Sequence, residues 1–154
     1  MINLLRTTSD NPDFQELVRQ LDVELRVRDG NEAEFYLQFN KIDTIKHAIV
    51  GYENDEAVGC GALRPYDAGT VEIKRMYVPL EKRGQGIASK ILIELETWAA
   101  EFAFKKCILE TGYKQPEAIA LYTKNGYRQI PNYGQYQNVE NSVCFEKVIV
   151  PGVN

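Results

Sequence analysis

A chain of 154 residues with 44% hydrophobic and 26% charged side chains has the make-up of a globular domain with a core of its own. Its 18 cations and 22 anions leave a net charge of −4, and the cations are scattered, which excludes the basic patch of a nucleic-acid binder. No apolar run approaches the roughly 20 residues of a membrane span, and the start Met1-Ile2-Asn3-Leu4-Leu5-Arg6 lacks the arrangement of a secretory signal.

The elements follow in chain order. Phe14, Leu17, Leu21 and Leu25 recur at helical spacing within residues 13–29, and Gly30 stops the pattern. Residues 31–41 read as a second short helix with Phe35 and Phe39 on one side. The period then changes from helix to strand. Residues 46–52 and 57–64 form a strand pair around the turn Asn54-Asp55-Glu56, and Asp67-Ala68-Gly69 turns the chain into a third strand over residues 70–78. A glycine stretch, Glu81-Lys82-Arg83-Gly84-Gln85-Gly86-Ile87-Ala88-Ser89, comes next. Beyond it Ile87, Ile91, Leu92, Leu95, Trp98, Ala99 and Phe102 repeat every three or four residues, which predicts an amphipathic helix. Residues 106–110 make a short buried strand, and residues 116–125 a helix with Pro116 in its first turn and Asn125-Gly126 at its end. Residues 127–130 and 142–148 are the last strands, with a Tyr/Gly/Asn-rich loop over 131–141 between them. This order predicts one mixed α/β (α+β) domain spanning residues 1–154. Cys60, Cys107 and Cys144 lie in apolar, strand-like surroundings without metal-ligand spacing, so they read as buried free thiols in a reducing cytoplasm, and no metal site is expected.

Glycines followed by a helix make a phosphate cradle, because exposed backbone N–H groups and the helix dipole both favour an anion. Three readings of the stretch compete. A Walker A loop fails, since no Lys-Ser or Lys-Thr follows the glycines. A dinucleotide fingerprint is approximated by Gly84-x-Gly86-x-x-Ser89, with Glu110 placed as the ribose-binding acid of an NAD-dependent oxidoreductase. Against it, residues 79–82 form extra loop after the strand, hairpin-like strands precede the motif, and the chain is short for two mononucleotide-binding halves.

The third reading engages more of the chain. Arg83-Gly84-Gln85-Gly86-Ile87-Ala88 resembles Q/R-x-x-G-x-G/A, the acyl-CoA pyrophosphate loop of the GNAT (GCN5-related N-acetyltransferase) superfamily. Residues 71–78 resemble that superfamily's central strand, Glu110-Thr111-Gly112 the end of its next strand, and residues 118–127 its A-x-x-L-Y-x-x-x-G-Y/F block. The resemblance is strong over residues 47–130. It implies a GNAT acyl-CoA N-acyltransferase fold with a mixed, mostly antiparallel sheet flanked by helices. Acetyl-CoA is the implied co-substrate and an amine of a small molecule or peptide the acceptor. Many relatives pair as dimers.

The resemblance also implies roles for residues. The central strand splays from its neighbour, and the backbone of Met76, Tyr77 and Val78 would hold the pantetheine arm and polarise the thioester carbonyl. The loop Arg83, Gly84, Gln85, Gly86, Ile87, Ala88 and Ser89 would hold the pyrophosphate, and Gln115 stands where many relatives have a pantetheine-binding asparagine. Tyr122 would be the acid that protonates the departing thiolate, and Glu72 the general base or its water-linked equivalent. The acceptor site would come from residues 13–41 and the loop 131–141, with Tyr36, Tyr133 and Tyr136 as lining and Glu32 or Glu34 attracting the amine. His47, the only histidine, carries no motif and reads as structural. A CoA-binding protein of this fold without turnover is the alternative to an enzyme.

Overall fold

The computed structural model describes residues 1–29 and 45–149. The helix expected over residues 31–41 lies outside them, as do Glu32, Glu34 and Tyr36. Among the described residues, seven strands form one sheet, in the order β1-β2-β3-β4-β5-β7-β6. They are β1 (Asn3–Thr7), β2 (His47–Glu53), β3 (Glu56–Asp67), β4 (Thr70–Tyr77), β5 (Lys106–Gly112), β6 (Arg128–Ile130) and β7 (Ser142–Val148). Helices α1 (Pro12–Asp29), α2 (Ile87–Glu101) and α3 (Pro116–Lys124) cover the faces. Every neighbouring pair is antiparallel except β4 and β5. The architecture is the mixed α/β sheet that the sequence predicts.

The turn between β2 and β3 is tighter than its sequence indicates. Glu53 pairs with Glu56, leaving only Asn54 and Asp55 in the loop, with φ of 51° and 66°. Asparagine and aspartate tolerate this left-handed region, which matches the twist of a two-residue hairpin.

Strand β1 is absent from the sequence reading. Its five residues lack alternation, and one edge pairs only with β2 (Leu4↔Gly51). What holds it is tertiary. Arg6 donates to Glu94 at 2.8 Å and to Glu101 at 2.6 Å, both on α2, and its guanidinium stacks 4.9 Å from the Trp98 ring centre. Phe102 also departs from expectation: it ends α2 half-exposed, its ring 5.0 Å from that of His47.

Two apolar clusters sit on opposite faces of the sheet. On one, Ile87, Ile91, Leu92, Leu95 and Ala99 of α2 meet Val58, Val71, Ile73 and Leu109. Each buried aliphatic side chain contributes about 1.5–3 kcal/mol. On the other, Phe14, Leu17 and Val18 of α1 pack on Ala48, Val50, Cys60 and Ala62. Asn11 starts α1, its Oδ1 accepting from the backbone N–H groups of Asp13 and Phe14. All three cysteines are buried and free, and no described helix is long and apolar enough to cross a membrane.

Two irregularities in β4 organise the centre. The β4–β5 ladder has three pairs, Thr70↔Lys106, Val71↔Cys107 and Glu72↔Ile108, and stops. Beyond Glu72 and Ile108 the strands part, while β5 stays paired with β7 as far as Gly112↔Ser142. On its other edge, Cys60 pairs with Tyr77 and Ala62 with Lys74, so Gly61 faces both Arg75 and Met76. This is a β-bulge, and Arg75 carries a φ of 58° within it. The extra residue breaks the alternation: Arg75 turns to α1, and Met76 to the α2 face. Gly61 makes room for it, since a Cβ there would stand 2.5 Å from Met76 Sδ.

Candidate active site

The loop after β4 begins with a short 3-10 turn, Leu80–Lys82, and delivers the chain to the start of α2. Gly84 and Gly86 have φ of 82° and 80°, a region that L side chains enter against steric cost, and no atom lies within 4 Å of a Cβ built at either. Gly86 is the residue that precedes α2, and no side chain of the described residues caps the helix there. The first backbone intrahelical bond from this end runs from Lys90 N to Gly86 O. The N–H groups of Ile87, Ala88 and Ser89 therefore have no acceptor one turn back, and they share the positive end of the helix dipole. Unpaired N–H groups and the helix dipole make this end of the molecule favourable to an anion.

A cavity of about 490 Å³ opens beside it. Its walls include Met76, Tyr77 and Val78 of β4 and its exit, Arg83, Gly84, Gly86, Ile87, Ala88 and Ser89 of the loop, and Gln115 and Tyr122 at α3. Of the residues singled out in the sequence for cofactor binding, all but Gln85 line this space; Gln85 is exposed beside it. Arg83 is already engaged. Its Nε donates to Val78 O at 2.8 Å and its Nη2 to Glu24 Oε1 at 2.7 Å, tying the loop to both β4 and α1. Ser89 Oγ accepts from Asn125 Nδ2 at 3.1 Å, which fixes the start of α2 against the end of α3.

A second cavity, of about 100 Å³, lies on the α1 side of the splay. Leu21 and Leu25 of α1, Lys74 and Arg75 of β4, Glu110 and Thr111 of β5, and Gln115 form its walls. Leu21, Met76, Gln115, Ala118 and Tyr122 line both spaces, so the cavities adjoin at the point where β4 and β5 part.

Tyr122 stands at that junction. It is 6% exposed, and its ring packs against Tyr127 and Phe145. Burial, with the negative charge of Glu110 as a smaller cause, pushes its pKa well above the usual phenol value. The hydroxyl thus keeps its proton at neutral pH and is a donor at the boundary of the two cavities.

Glu72 is placed differently. It is buried, but it lines neither cavity. The hydroxyl of Tyr133 donates to its Oε2 at 2.6 Å, and Lys74 Nζ stands 4.0 Å from its Oε1. Tyr136 is 1% exposed and packs with Cys144 under the 131–141 loop, so neither loop tyrosine lines the cavity. Glu110 is the carboxylate on the smaller cavity's wall, accepting from Ser142 Oγ at 2.7 Å. Lys74 stands in the field of both acids. Desolvation lowers its ammonium pKa, and Glu72 and Glu110 oppose that shift. Sequence reasoning saw Glu110 only as a ribose ligand; it lies away from the glycine loop, on the other cavity. No local sequence signal marks it: it stands two residues past the point where the parallel ladder ends, and that point is set by tertiary pairing. No cluster of metal-ligating side chains occurs among the described residues.

The family model described as "Acetyltransferase (GNAT) family" matches residues 13–127. The uncharacterised N-acetyltransferase YjgM of Escherichia coli strain K12 is 34% identical over 137 residues, covering 80% of each chain. An IAA acetyltransferase of Azospirillum brasilense is 34% identical over 100 residues, 64% of this chain and 65% of its own. Among solved structures, a Klebsiella pneumoniae protein bearing an acyl-CoA N-acyltransferase name superposes with a TM-score of 0.81 at 32% identity, over 96% of this chain and 97% of its own. A GNAT family acetyltransferase of Elizabethkingia anophelis, solved with acetyl-CoA bound, shares the fold with a TM-score of 0.71 at 22% identity, over 96% and 98%.

Proposed function

The chain belongs to the GNAT acetyltransferase family and is an N-acetyltransferase, and from that premise we propose that it moves an acetyl group from acetyl-CoA directly to an amine held in the smaller cavity. The observation that carries the reading is the pair of cavities meeting at the β4–β5 splay with Tyr122 between them. In this reading the larger cavity takes acetyl-CoA. Its pyrophosphate rests on the backbone N–H groups from Gly84 to Ser89, its arm lies along the unpaired edge of β4 at Met76, Tyr77 and Val78, and Gln115 closes the far wall. Ligand oxygens compete with Glu24 for Arg83.

Acetyl-CoA supplies an activated acyl group as a thioester. The amine nitrogen forms the new C–N bond as the C–S bond breaks, and CoA departs with the electron pair of that bond. Tyr122 donates the proton that the sulfur needs and is returned to its hydroxyl form from solvent. Its raised pKa makes it a weaker acid than a phenol in water, so donation is coupled to C–S cleavage rather than preceding it. Burial disfavours a bare thiolate in the same place, which keeps the two groups matched.

An amine arrives as ammonium and must lose a proton to become a nucleophile. Glu110 is the carboxylate on the cavity wall and takes that role directly. Glu72 lies behind it and acts through Lys74 or an intervening water, with Tyr133 holding its carboxylate in place. A covalent acetyl-cysteine route is disfavoured by the thiols themselves: burial pushes Cys60 and Cys107 up to about 12 and Cys144 to about 11.

Isothermal titration with acetyl-CoA and, in parallel, NAD tests the reading. Micromolar binding of acetyl-CoA without NAD heat is expected, followed by CoA release when a panel of amines is added. NAD heat without acetyl-CoA heat overturns it.

A further inference from the structure

Arg75 is the residue on the smaller cavity that acetyl transfer does not use. Its side chain is only 4% exposed. Nη1 donates to Asp22 on α1 at 2.9 Å, while Nε is buried with no acceptor among the described residues. A buried N–H without a partner is costly, and native structures keep few of them. The backbone adds a second cost, because Arg75 sits at φ 58° in the bulge, where a residue bearing a side chain is strained. The fold therefore holds a guanidinium in the cavity wall with hydrogen-bonding capacity unspent.

Which partner would meet it follows from geometry and charge. A guanidinium that grips one carboxylate through Nη1 keeps its Nε–Nη2 edge, and that edge fits a second planar carboxylate through two parallel hydrogen bonds. The neighbouring cation, Lys74, stands in the field of both Glu72 and Glu110. Asp22, the partner of Arg75, has a side chain 28% exposed, so solvent screens much of its charge. Across the cavity, Leu21 and Leu25 offer an apolar wall.

We propose that the acceptor is an amino carboxylate, bound with its carboxylate on the Nε–Nη2 edge of Arg75, its amine toward Glu110 and Tyr122, and its aliphatic part along Leu21 and Leu25. The proposal rests on the smaller cavity being the acceptor site. A monoamine in the same place leaves Nε unmet, and sites built to bond a substrate group discriminate strongly against analogues that lack it.

CoA release from acetyl-CoA is measured with matched acceptors: leucine, leucinamide and 3-methylbutylamine. The wild-type protein is expected to favour leucine over each of the others by about 100-fold in kcat/KM. The amide's amine is the least basic of the three and 3-methylbutylamine the most basic, so amine ionisation alone puts leucinamide ahead of leucine, and the preference for leucine over leucinamide is the one that ionisation does not supply. Arg75→Lys keeps the charge and loses the planar edge; it is expected to cut the preference below about tenfold, chiefly through the KM for leucine, with acetyl-CoA affinity by calorimetry unchanged. Equal or better use of leucinamide or of 3-methylbutylamine by the wild-type protein overturns the proposal, and neither comparison needs a variant to fold. Acetyl-CoA heat with no turnover of any of the three overturns it as well. Absence of acetyl-CoA heat in the wild-type protein instead overturns the transferase reading beneath it.

Discussion

The two sides of the splayed sheet are built from different materials. The larger cavity is a backbone structure: a glycine loop, the uncapped start of α2 and the open edge of β4. The smaller one is a side-chain structure, in which Lys74, Arg75 and Glu110 converge from two strands onto the apolar side of α1. A backbone site needs particular φ values and little else, so it serves one ligand shape and tolerates varied neighbours. A side-chain site is specified by chemistry at each wall, so it is where selectivity resides.

Substitutions on each side should separate these two kinds of dependence. Gly86→Glu has the largest expected effect. It forces a side chain into φ 80° and sets a negative charge in the anion cradle, so acetyl-CoA binding should fall below detection by calorimetry. Retained binding would show that the cradle is not where the cofactor's phosphates lie. Tyr122→Phe acts at the boundary: turnover should drop by roughly tenfold to a thousandfold while acetyl-CoA affinity stays within about threefold. An unchanged kcat removes Tyr122 from the acid role.

The acid pair sharpens the contrast at the smaller cavity. Glu110→Gln should lower kcat/KM more than Glu72→Gln, by about tenfold between them, because only Glu110 lines the cavity. Steady-state kinetics on both variants decides the order, and a larger loss at Glu72 would make it the proton acceptor. Gly61→Ala probes the bulge that divides the two sides. The added methyl stands 2.5 Å from Met76 Sδ and 2.9 Å from Leu95 Cδ1, so thermal unfolding should show a loss of about 1–3 kcal/mol.

The smallest effect lies far from both cavities. His47 packs edge-on to Trp98 and Phe102, and burial, aided by Lys46, lowers its pKa from 6.5. A histidine whose folded pKa is depressed is charged more readily in the unfolded chain. Its contribution is therefore full above pH 6.5 and declines as pH falls through the lower folded value. His47→Gln should flatten that part of the stability curve, as denaturant titrations at pH 5 and pH 7.5 would register.

The glycine loop was legible in the sequence because its conformation is written in consecutive residues. Two glycines, a flanking cation and a helix at a fixed offset are local facts, and the amphipathic repeat of α2 follows from one period over residues 87–101. The order of strands and helices was legible for the same reason. β1 was not, since it owes its existence to Gly51, Val50 and their neighbours on β2 and to Glu94 and Glu101 on α2, nearly ninety residues or more away.

The smaller cavity belongs to tertiary structure alone. Residue alternation places Glu72 and Lys74 on one face of β4 and would send Arg75 to the other. The bulge opposite Gly61 turns Arg75 back to α1, and no local pattern marks it, because its cause is packing between Met76, Gly61 and the aliphatic side chains of α2. Likewise, the sequence reading makes Glu72 the candidate base and gives Glu110 a part only in the dinucleotide alternative. Only the folded chain covers one with Tyr133 and leaves the other on the cavity wall. Local sequence sets backbone conformation through sterics and hydrogen bonding over a few residues, whereas the meeting of side chains tens of residues apart is decided by how strands part and helices pack.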